Sequence, residues 1–404
     1  MDALALILII LSSCFFTSKL FTSIKLPKVL GPITVGLIFS YFFKSYFTSS
    51  DFEVLEILST LGIVMFLFYI GLELDLKSIK KQRTETILVG VLGFILTFIT
   101  ALIFTYYILN LTFIVSIVIA SVLSITAEGI AVMLLQENRL LHCKSGKIIV
   151  GAGLIDDLFG IFSLTLISIM ATSAVGLISF IPLIIGMIVF TSGFYCLKYL
   201  SKFIDDIFVH KNLLNSHDLF TYSILFLLFF ATFADKFGLD FSVGAILAGF
   251  LLNFSLYQKG HLGIQEEKRI DANIKSISLG FLSYFFFFSV GFSLDFSVLF
   301  EHIYWGLSFA AIAFLMKIIS SVMATQISHD KLYPGLLIGL GMASKGGMDL
   351  VILEIARKSG LISPEIYSSL VFASFILIIL SPLSFNFIAK KKTLRENPFF
   401  KNYS

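Results

Sequence analysis

Long apolar stretches dominate this chain of 404 residues, and short polar loops separate them. A helix needs roughly 20 mostly apolar residues to cross a bilayer. By that criterion the sequence predicts about thirteen membrane-spanning helices, and therefore an all-α polytopic membrane protein. We place the helices at residues 3–23, 29–47, 54–73, 85–108, 111–136, 147–171, 177–198, 218–236, 240–257, 276–296, 299–324, 333–356 and 364–388.

Composition also indicates a membrane protein. Hydrophobic residues make up 57% of the chain and charged residues only 14%, a balance that soluble domains of this length do not show. The three cysteines are widely spaced and form no CxxC motif, so neither a disulfide framework nor a zinc site is predicted. We expect a protein in contact with the lipid bilayer, with no cofactor and no nucleic-acid partner.

The lysines and arginines predict the orientation in the membrane. They concentrate in alternate loops, such as residues 77–83, 139–147 and 259–275, and in the tail at 390–404. Because basic loops stay in the cytoplasm, this pattern predicts an external N-terminus and a cytoplasmic C-terminus. The regular alternation also supports an odd number of spans.

Two short motifs recur between the halves of the chain. The third span ends in Gly71-Leu72-Glu73-Leu74-Asp75, and the tenth ends in Gly291-Phe292-Ser293-Leu294-Asp295. An odd number of crossings separates them, as an inverted-topology repeat requires. The alternative is that Gly-x-x-x-Asp is simply a common way for a helix to leave the membrane.

The fifth and twelfth spans are interrupted at a matching offset. Residues 124–129 (Ser-Ile-Thr-Ala-Glu-Gly) and 341–349 (Gly-Met-Ala-Ser-Lys-Gly-Gly-Met-Asp) place small, hydroxyl and charged residues in mid-membrane. Such paired interruptions are a sequence pointer to a transporter's binding site. The pattern therefore predicts two inverted-topology repeats with two crossed, interrupted helices.

Charged residues near these breaks are suited to neutralise the ends of half-helices. Glu128 could face helix N-termini near Thr126, and Lys317 or Lys345 could face carbonyl ends. Two alternatives are open. Gly346 and Gly347 could instead allow close helix packing, and the Lys345 side chain could extend to the membrane surface.

Asp156 and Asp157 are adjacent carboxylates in an apolar run that continues to about residue 172. Ionisable groups at that depth are costly, and two neighbouring carboxylates also repel each other. Such residues are functional by default, although a structural pair held by a lysine or by backbone amides is the alternative. Lys317 is the candidate partner, unless it lies close enough to the cytoplasm to reach water.

These residues resemble those of the monovalent cation:proton antiporter family, in its second branch of NapA-like bacterial sodium/proton antiporters with two adjacent aspartates. The resemblance covers essentially the whole chain, from the Gly71 motif to the break at Lys345. It implies a homodimer in which a linker helix joins a dimerisation domain to a core ion-transport domain. The implied domains are dimerisation, 1–75 and 215–297; core, 84–172 and 299–389; linker helix, 177–198; and cytoplasmic basic tail, 390–404.

The resemblance also implies roles for individual residues. Asp157 would be the main ion ligand, Asp156 would pair with Lys317, and Thr126 would lie beside the ion. The broken-helix crossing and its charges would comprise Ser124, Glu128, Lys317, Lys345 and Asp349. This chain departs from the family in two places. The family often has Arg-Gly-Glu where this chain has Lys-Gly-Gly at 345–347. Glu128 also lies one residue later than the acid that some relatives carry at the first broken helix.

The expected function is exchange of cytoplasmic Na⁺ or Li⁺ for external protons in the bacterial inner (plasma) membrane, without catalysis of a covalent reaction. Protons and cations would compete for the oxygens of Asp156 and Asp157, so the transported ions would be the only ligands. A K⁺/H⁺ antiporter or potassium efflux transporter on the same fold is the alternative. A channel would need a ring of filter residues, and a hydrolase would need acids on separate elements; the sequence shows neither pattern.

Overall fold

The computed structural model describes most of the chain, and all regular secondary structure in that part is helical. The predicted all-α fold is therefore confirmed. The described residues are 3–24, 26–73, 84–141, 143–172, 216–236, 241–253, 264–294, 300–328 and 332–389. The predicted linker helix at 177–198 and the basic tail at 390–404 lie outside these ranges.

The helices are numbered in chain order. The first seven are α1 (Ala3–Ser23), α2 (Leu30–Phe42), α3 (Ser49–Glu73), α4 (Thr84–Ile103), α5 (Phe113–Ser124), α6 (Glu128–Glu137) and α7 (Lys144–Thr172). The others described are α8 (Ser216–Lys236), α9 (Phe241–Leu252), α10 (Ile264–Ile277), α11 (Ser283–Phe292), α12 (Ile303–Ile327), α13 (Leu332–Met342), α14 (Gly347–Lys358) and α15 (Pro364–Ala389). A 3₁₀ turn (Lys44–Tyr46) and two π-helical turns (Phe104–Ile108 and Ser278–Leu282) complete them.

These helices agree with the predicted spans. Every predicted span except 177–198 overlaps one helix or a run of consecutive helices. Within the described residues, seven helices are long and apolar enough to cross a membrane, and the bent pair α13–α14 makes an eighth. The rest of the apolar helices there are shorter, among them α2, α5 and α9.

Helix starts differ from the prediction where the first turns are polar. Helix α3 begins at Ser49 rather than 54, because Thr48 and Asp51 form a capping box that hydropathy does not detect. The Asp51 carboxylate accepts hydrogen bonds from the Thr48 backbone N–H (2.9 Å) and hydroxyl (2.7 Å). Similarly, α10 begins at Ile264 and continues through the π-helical turn into α11, whereas the predicted span began at 276.

Large apolar side chains are exposed along the helices. Leu4 is 75% exposed, Phe16 70% and Phe387 69%. A soluble protein would bury most side chains of this kind, whereas in a bilayer they contact lipid tails. The surface therefore fits a multi-pass membrane protein.

The chain divides into two compact units. Unit 1 comprises Met1–Phe15, Phe43–Asp75 and Leu164–Ser289. In unit 1, α3 and α9 approach closely through reciprocal glycines: Gly71 lies against the Ile246 carbonyl, and Gly249 lies against the Phe68 carbonyl. A side chain at either position would collide with backbone, which is the packing role of small residues between membrane helices.

Unit 2 comprises Phe16–Phe42, Leu76–Ser163 and Val290–Ser404. Its hydrophobic core lies among α4, α6, α7, α13 and α15, and includes the buried side chains of Val89, Leu134, Ile149, Leu337 and Ile378. Gly291, the counterpart of Gly71 in the recurring motif, also lies against a backbone carbonyl, that of Ile33. The two glycines thus have the same packing role, each within its own unit.

Candidate ion-binding site

Both interrupted spans are broken helices, and their breaks meet inside unit 2. Helix α5 ends at Ser124 and α6 begins at Glu128. Helix α13 ends at Met342 and α14 begins at Gly347, and this pair is bent by 40°. Gly346 lets the two breaks approach each other, since a Cβ there would lie 2.6 Å from the Ala127 Cβ.

Backbone and hydroxyl groups join the two breaks directly. The Ala127 N–H donates to the Ser344 carbonyl (2.9 Å), and the Ser344 hydroxyl donates to the Ala127 carbonyl (3.0 Å). The Thr126 hydroxyl donates to the Met342 carbonyl at 2.7 Å. These bonds satisfy backbone groups that the interrupted helices leave unpaired, as burial in an apolar bundle requires.

Lys345 neutralises the carbonyl end of α5. Its ammonium group donates to the backbone carbonyls of Val122 (2.8 Å), Leu123 (2.9 Å) and Ile125 (2.5 Å). The side chain is only 2% exposed, so it does not reach a membrane surface. A cation is favourable here because the C-terminal end of a helix carries partial negative charge.

Asp349 has the complementary place at the start of α14. Its carboxylate accepts a hydrogen bond from the Gly346 N–H (2.9 Å) and another from the Ser374 hydroxyl of α15 (2.8 Å). An anion is favourable at a helix N-terminus, where the backbone N–H groups have no intrahelical partner. The family that this chain resembles often has glutamate at the position of Gly347. In this chain Asp349, two residues later, supplies a negative charge instead.

Asp156 and Lys317 form a buried ion pair between α7 and α12. The lysine Nζ lies 3.0 and 3.1 Å from the two carboxylate oxygens, and the side chains are 0% and 1% exposed. Gly93 of α4 leaves space beside this pair, since a Cβ there would lie 3.8 Å from the lysine Nζ. The structure therefore brings Lys317 to Asp156 and Lys345 to the carbonyl end of α5. The sequence alone left open which lysine would neutralise the carbonyl ends.

Asp157 follows on α7 and is half-buried. Successive helical side chains point about 100° apart, so Asp157 projects away from the Lys317 pair. Helix α7 passes the crossing one turn further on, because a Cβ at Gly160 would lie 3.4 Å from the Met348 side chain and 3.8 Å from Ile125. The two aspartates are therefore carried by the helix that passes the meeting point of the breaks.

Two predicted site residues are less closely joined to this arrangement. The Ser124 hydroxyl donates to the Ala120 carbonyl of its own helix (2.6 Å). Glu128 is the first residue of α6, and its side chain lies outside the described part of the structure. In that part, no group of three or more His, Cys, Asp or Glu side chains is placed to hold a metal ion.

The sequence alone did not point to two groups that hold the crossing together, nor to a buried acid at the far end of α14. Ser374 lies in a long apolar helix, and nothing in its local sequence distinguishes it from other membrane serines. The Met342 carbonyl is a backbone group and has no signal in sequence. Glu354, a fully buried acid of α14, could have been found from its place in an apolar half-helix three residues before Arg357.

Apolar spanning helices, two broken helices that meet, and buried charges at their ends together define a secondary transporter. The family profile described as "Sodium/hydrogen exchanger, transmembrane" matches residues 7–391. The chain therefore belongs to the sodium/hydrogen exchanger family, a family of multi-pass membrane antiporters. The resemblance to cation:proton antiporters that the motifs indicated is thereby confirmed.

Individual relatives cover nearly the whole chain. A Na⁺/H⁺ antiporter of Enterococcus hirae is 26% identical over 97% of this chain and 99% of its own length. The K⁺/H⁺ antiporter 1 of Saccharomyces cerevisiae is 28% identical over 91% of this chain, which spans 44% of that longer protein. The sodium proton antiporter MjNhaP1 of Methanocaldococcus jannaschii, solved at pH 8, has the same fold, with a TM-score of 0.74, 18% identity and coverage of 96% and 98% of the two chains.

Proposed function

We propose that this protein exchanges cytoplasmic Na⁺ or Li⁺ for external protons, with Asp156 and Asp157 as the shared proton and cation site. The observation that carries the proposal is a fully buried carboxylate, paired with a buried lysine, beside a second carboxylate on the helix that passes the crossing. The names of the relatives support the ion class, because several are Na⁺/H⁺ antiporters.

In this proposal, oxygen atoms at the crossing bind the cation. Na⁺ is a hard cation and favours carboxylate, hydroxyl and carbonyl oxygens. Asp157 supplies the main ligand, and Asp156 a second. Thr126 can contribute as well, because its hydroxyl donates its proton to the Met342 carbonyl and keeps oxygen lone pairs for a cation.

Competition for these oxygens couples the two ions. Asp156 and Asp157 can each bind a proton, and the cation binds their oxygens only when the protons have left. If two protons enter for each Na⁺ exported, one positive charge moves inward per cycle. A membrane potential of about 100 mV then adds roughly 2.3 kcal/mol of driving force.

Access to the site would alternate between the two sides of the membrane. We assign residues 84–172 and 299–389 to a core ion-transport domain, and 1–75 and 215–297 to a dimerisation domain. Movement of the core as a rigid body would expose the site to each side in turn. We also propose a homodimer in the bacterial inner membrane with an external N-terminus.

The proposed exchange is tested in proteoliposomes with an imposed pH gradient and a pH-reporting dye. Wild type is compared with Asp157→Asn while Na⁺, Li⁺ and K⁺ are added in turn, with and without a clamped membrane potential. We expect Na⁺ and Li⁺ to collapse the gradient in wild type only, at a rate that responds to voltage. Asp271→Asn, a matched change at a half-buried aspartate of α10, is expected to keep wild-type activity.

Other results would revise the proposal. Full activity in Asp157→Asn would show that the aspartates are structural and that the site lies elsewhere. Exchange driven by K⁺ alone would favour the second candidate function, a K⁺/H⁺ antiporter. That candidate is supported by the 28% identity to the yeast K⁺/H⁺ antiporter 1, and the same donor atoms in a wider site could bind K⁺.

A further inference from the structure

A second buried acidic network lies in unit 2 at the other end of α14. Glu354 is fully buried and accepts two hydrogen bonds from Arg357, at 2.6 Å from Nη2 and 3.0 Å from Nε. The Tyr367 hydroxyl of α15 lies 3.0 Å from the same carboxylate, and its ring lies beneath the Arg357 guanidinium at 5.4 Å. None of these residues belongs to the ion site described above.

The Tyr367 hydroxyl has two acceptors within reach. Besides the Glu354 carboxylate, it lies 3.2 Å from the Val290 carbonyl of α11. A hydroxyl has one proton to donate, so it can bond well to only one of these acceptors at a time. An ionised carboxylate is the stronger acceptor and attracts that proton.

The Val290 carbonyl lies in the last turn of α11, which ends at Phe292. The last four carbonyls of a helix lack intrahelical partners, so a side-chain donor is valuable there. Val290 and Tyr367 both belong to unit 2. A hydrogen bond from Tyr367 to the Val290 carbonyl therefore fastens the last turn of α11 within that unit.

We propose that Glu354 and Tyr367 form a proton-dependent switch that binds or releases the end of α11. With Glu354 ionised, Tyr367 donates to the carboxylate and the Val290 carbonyl loses its donor. A proton taken up by Glu354 from solvent gives a carboxylic acid that donates to the Tyr367 oxygen, and the Tyr367 proton turns to Val290. The network thus positions α11 according to pH, and it sets the turnover of the exchange proposed above, on which this inference rests.

The surroundings of Glu354 permit such a protonation. Arg357, on the same helix, is 34% exposed and can turn towards water when the carboxylate becomes neutral. Helix α15 contributes Tyr367 and α11 contributes the Val290 carbonyl, while Ser293, which follows the last residue of α11, is hydrogen-bonded to Tyr367. Helix α5, which also packs against α14, has no titratable residue.

Two variants hold the switch in opposite states. In Glu354→Gln the amide can donate to the Tyr367 oxygen, so the hydroxyl proton stays on Val290 at every pH. In Tyr367→Phe the Val290 carbonyl has no hydroxyl donor at any pH, and the Glu354–Arg357 pair is intact. Matched controls are Glu365→Gln, two residues from Tyr367, and Tyr304→Phe, whose side chain is 79% exposed.

The decisive measurement is the maximal rate of radiolabelled Na⁺ uptake into proteoliposomes, at saturating Na⁺ and equal pH on both sides. Saturation removes direct proton competition at the ion site, so the maximal rate rather than KM reports the switch. We expect Glu354→Gln to match wild type at acid pH and to be about fivefold slower at alkaline pH, as loss or gain of one hydrogen bond predicts. We expect Tyr367→Phe to match wild type at alkaline pH and to be about fivefold faster at acid pH.

Three results would overturn the switch: wild-type profiles in both variants, changes in the same direction, or equal changes in the controls. If Glu354→Gln does not fold, Tyr367→Phe decides alone, because it leaves the ion pair in place. Absence of Na⁺ uptake by wild type would instead refute the exchange function. Amide hydrogen exchange of residues 290–294, corrected for intrinsic rates, tests the switch without transport. Wild type should gain protection from exchange at acid pH, and Tyr367→Phe should not.

Discussion

Lys317 and Asp156 each supply the opposite charge that the other needs inside an apolar bundle. Both are almost completely buried, and three atoms define the contact: one nitrogen and two carboxylate oxygens within 3.1 Å. Removing one partner of such a pair leaves an uncompensated charge, which is more costly than removing both. The pair therefore has consequences for stability as well as for transport.

Lys317→Gln is expected to destabilise the protein by about 3–5 kcal/mol, because Asp156 would remain as a buried charge without its cation. The double variant Lys317→Gln with Asp156→Asn is expected to recover most of that loss, since two neutral amides can bond to each other. Thermal melting in detergent measures both. Lys44→Gln, at an exposed lysine, is the matched control and should melt as wild type does. A single variant as stable as wild type would show that the ion pair contributes little.

At the scale of elements, the broken helices depend on charges of opposite sign at their ends. Lys345 donates to the carbonyl end of α5, and Asp349 accepts from the start of α14. Because both groups come from the same break, one short segment neutralises two helix ends. The close approach of the two breaks depends on Gly346, which lies against Ala127.

Gly346→Ala should lower stability by about 1–3 kcal/mol, because its Cβ would lie 2.6 Å from the Ala127 Cβ and force the breaks apart. Adding Ala127→Gly removes the opposing methyl group and should restore part of the stability. Gly280→Ala is a matched control, since no atom lies within 4 Å of the added methyl group. Melting temperatures of the four proteins decide the matter. Equal losses at positions 346 and 280 would mean that glycine's backbone freedom, not the contact, is what matters.

At the scale of the whole molecule, the two compact units share helices. Helices α1, α7 and α11 each begin in one unit and end in the other. The aspartate pair lies in the part of α7 that belongs to unit 2, together with both breaks. All described components of the proposed ion site are therefore held within one unit.

Ion binding to the whole protein should appear as stabilisation that depends on pH. A ligand that binds only the folded state stabilises it by about 2.7 kcal/mol at one hundred times its Kd. We expect Na⁺ to raise the melting temperature relative to choline, and to raise it more as the pH increases, because fewer protons then compete for the carboxylates. Asp157→Asn should abolish the shift. A shift that is independent of pH would argue against a shared proton and cation site.

The sequence by itself determined where the chain crosses the membrane and where two of its spans are broken. Hydropathy and the placement of Gly, Ser and charged residues are local properties, so the breaks at 125–127 and 343–346 and the aspartate pair could be recognised without a structure. The start of α3 was placed too late because a capping box depends on side-chain hydrogen bonds rather than on hydropathy.

Only the tertiary structure decided which groups meet. Lys317 and Asp156 are 161 residues apart in the chain, and Lys345 lies 220 to 223 residues from the carbonyls it contacts. The two buried lysines thus have different partners, a carboxylate for Lys317 and a helix end for Lys345. Ser374 and Tyr367 remained unrecognised for the same physical reason. Their roles come from neighbours on other helices, and packing, not local pattern, sets those neighbours.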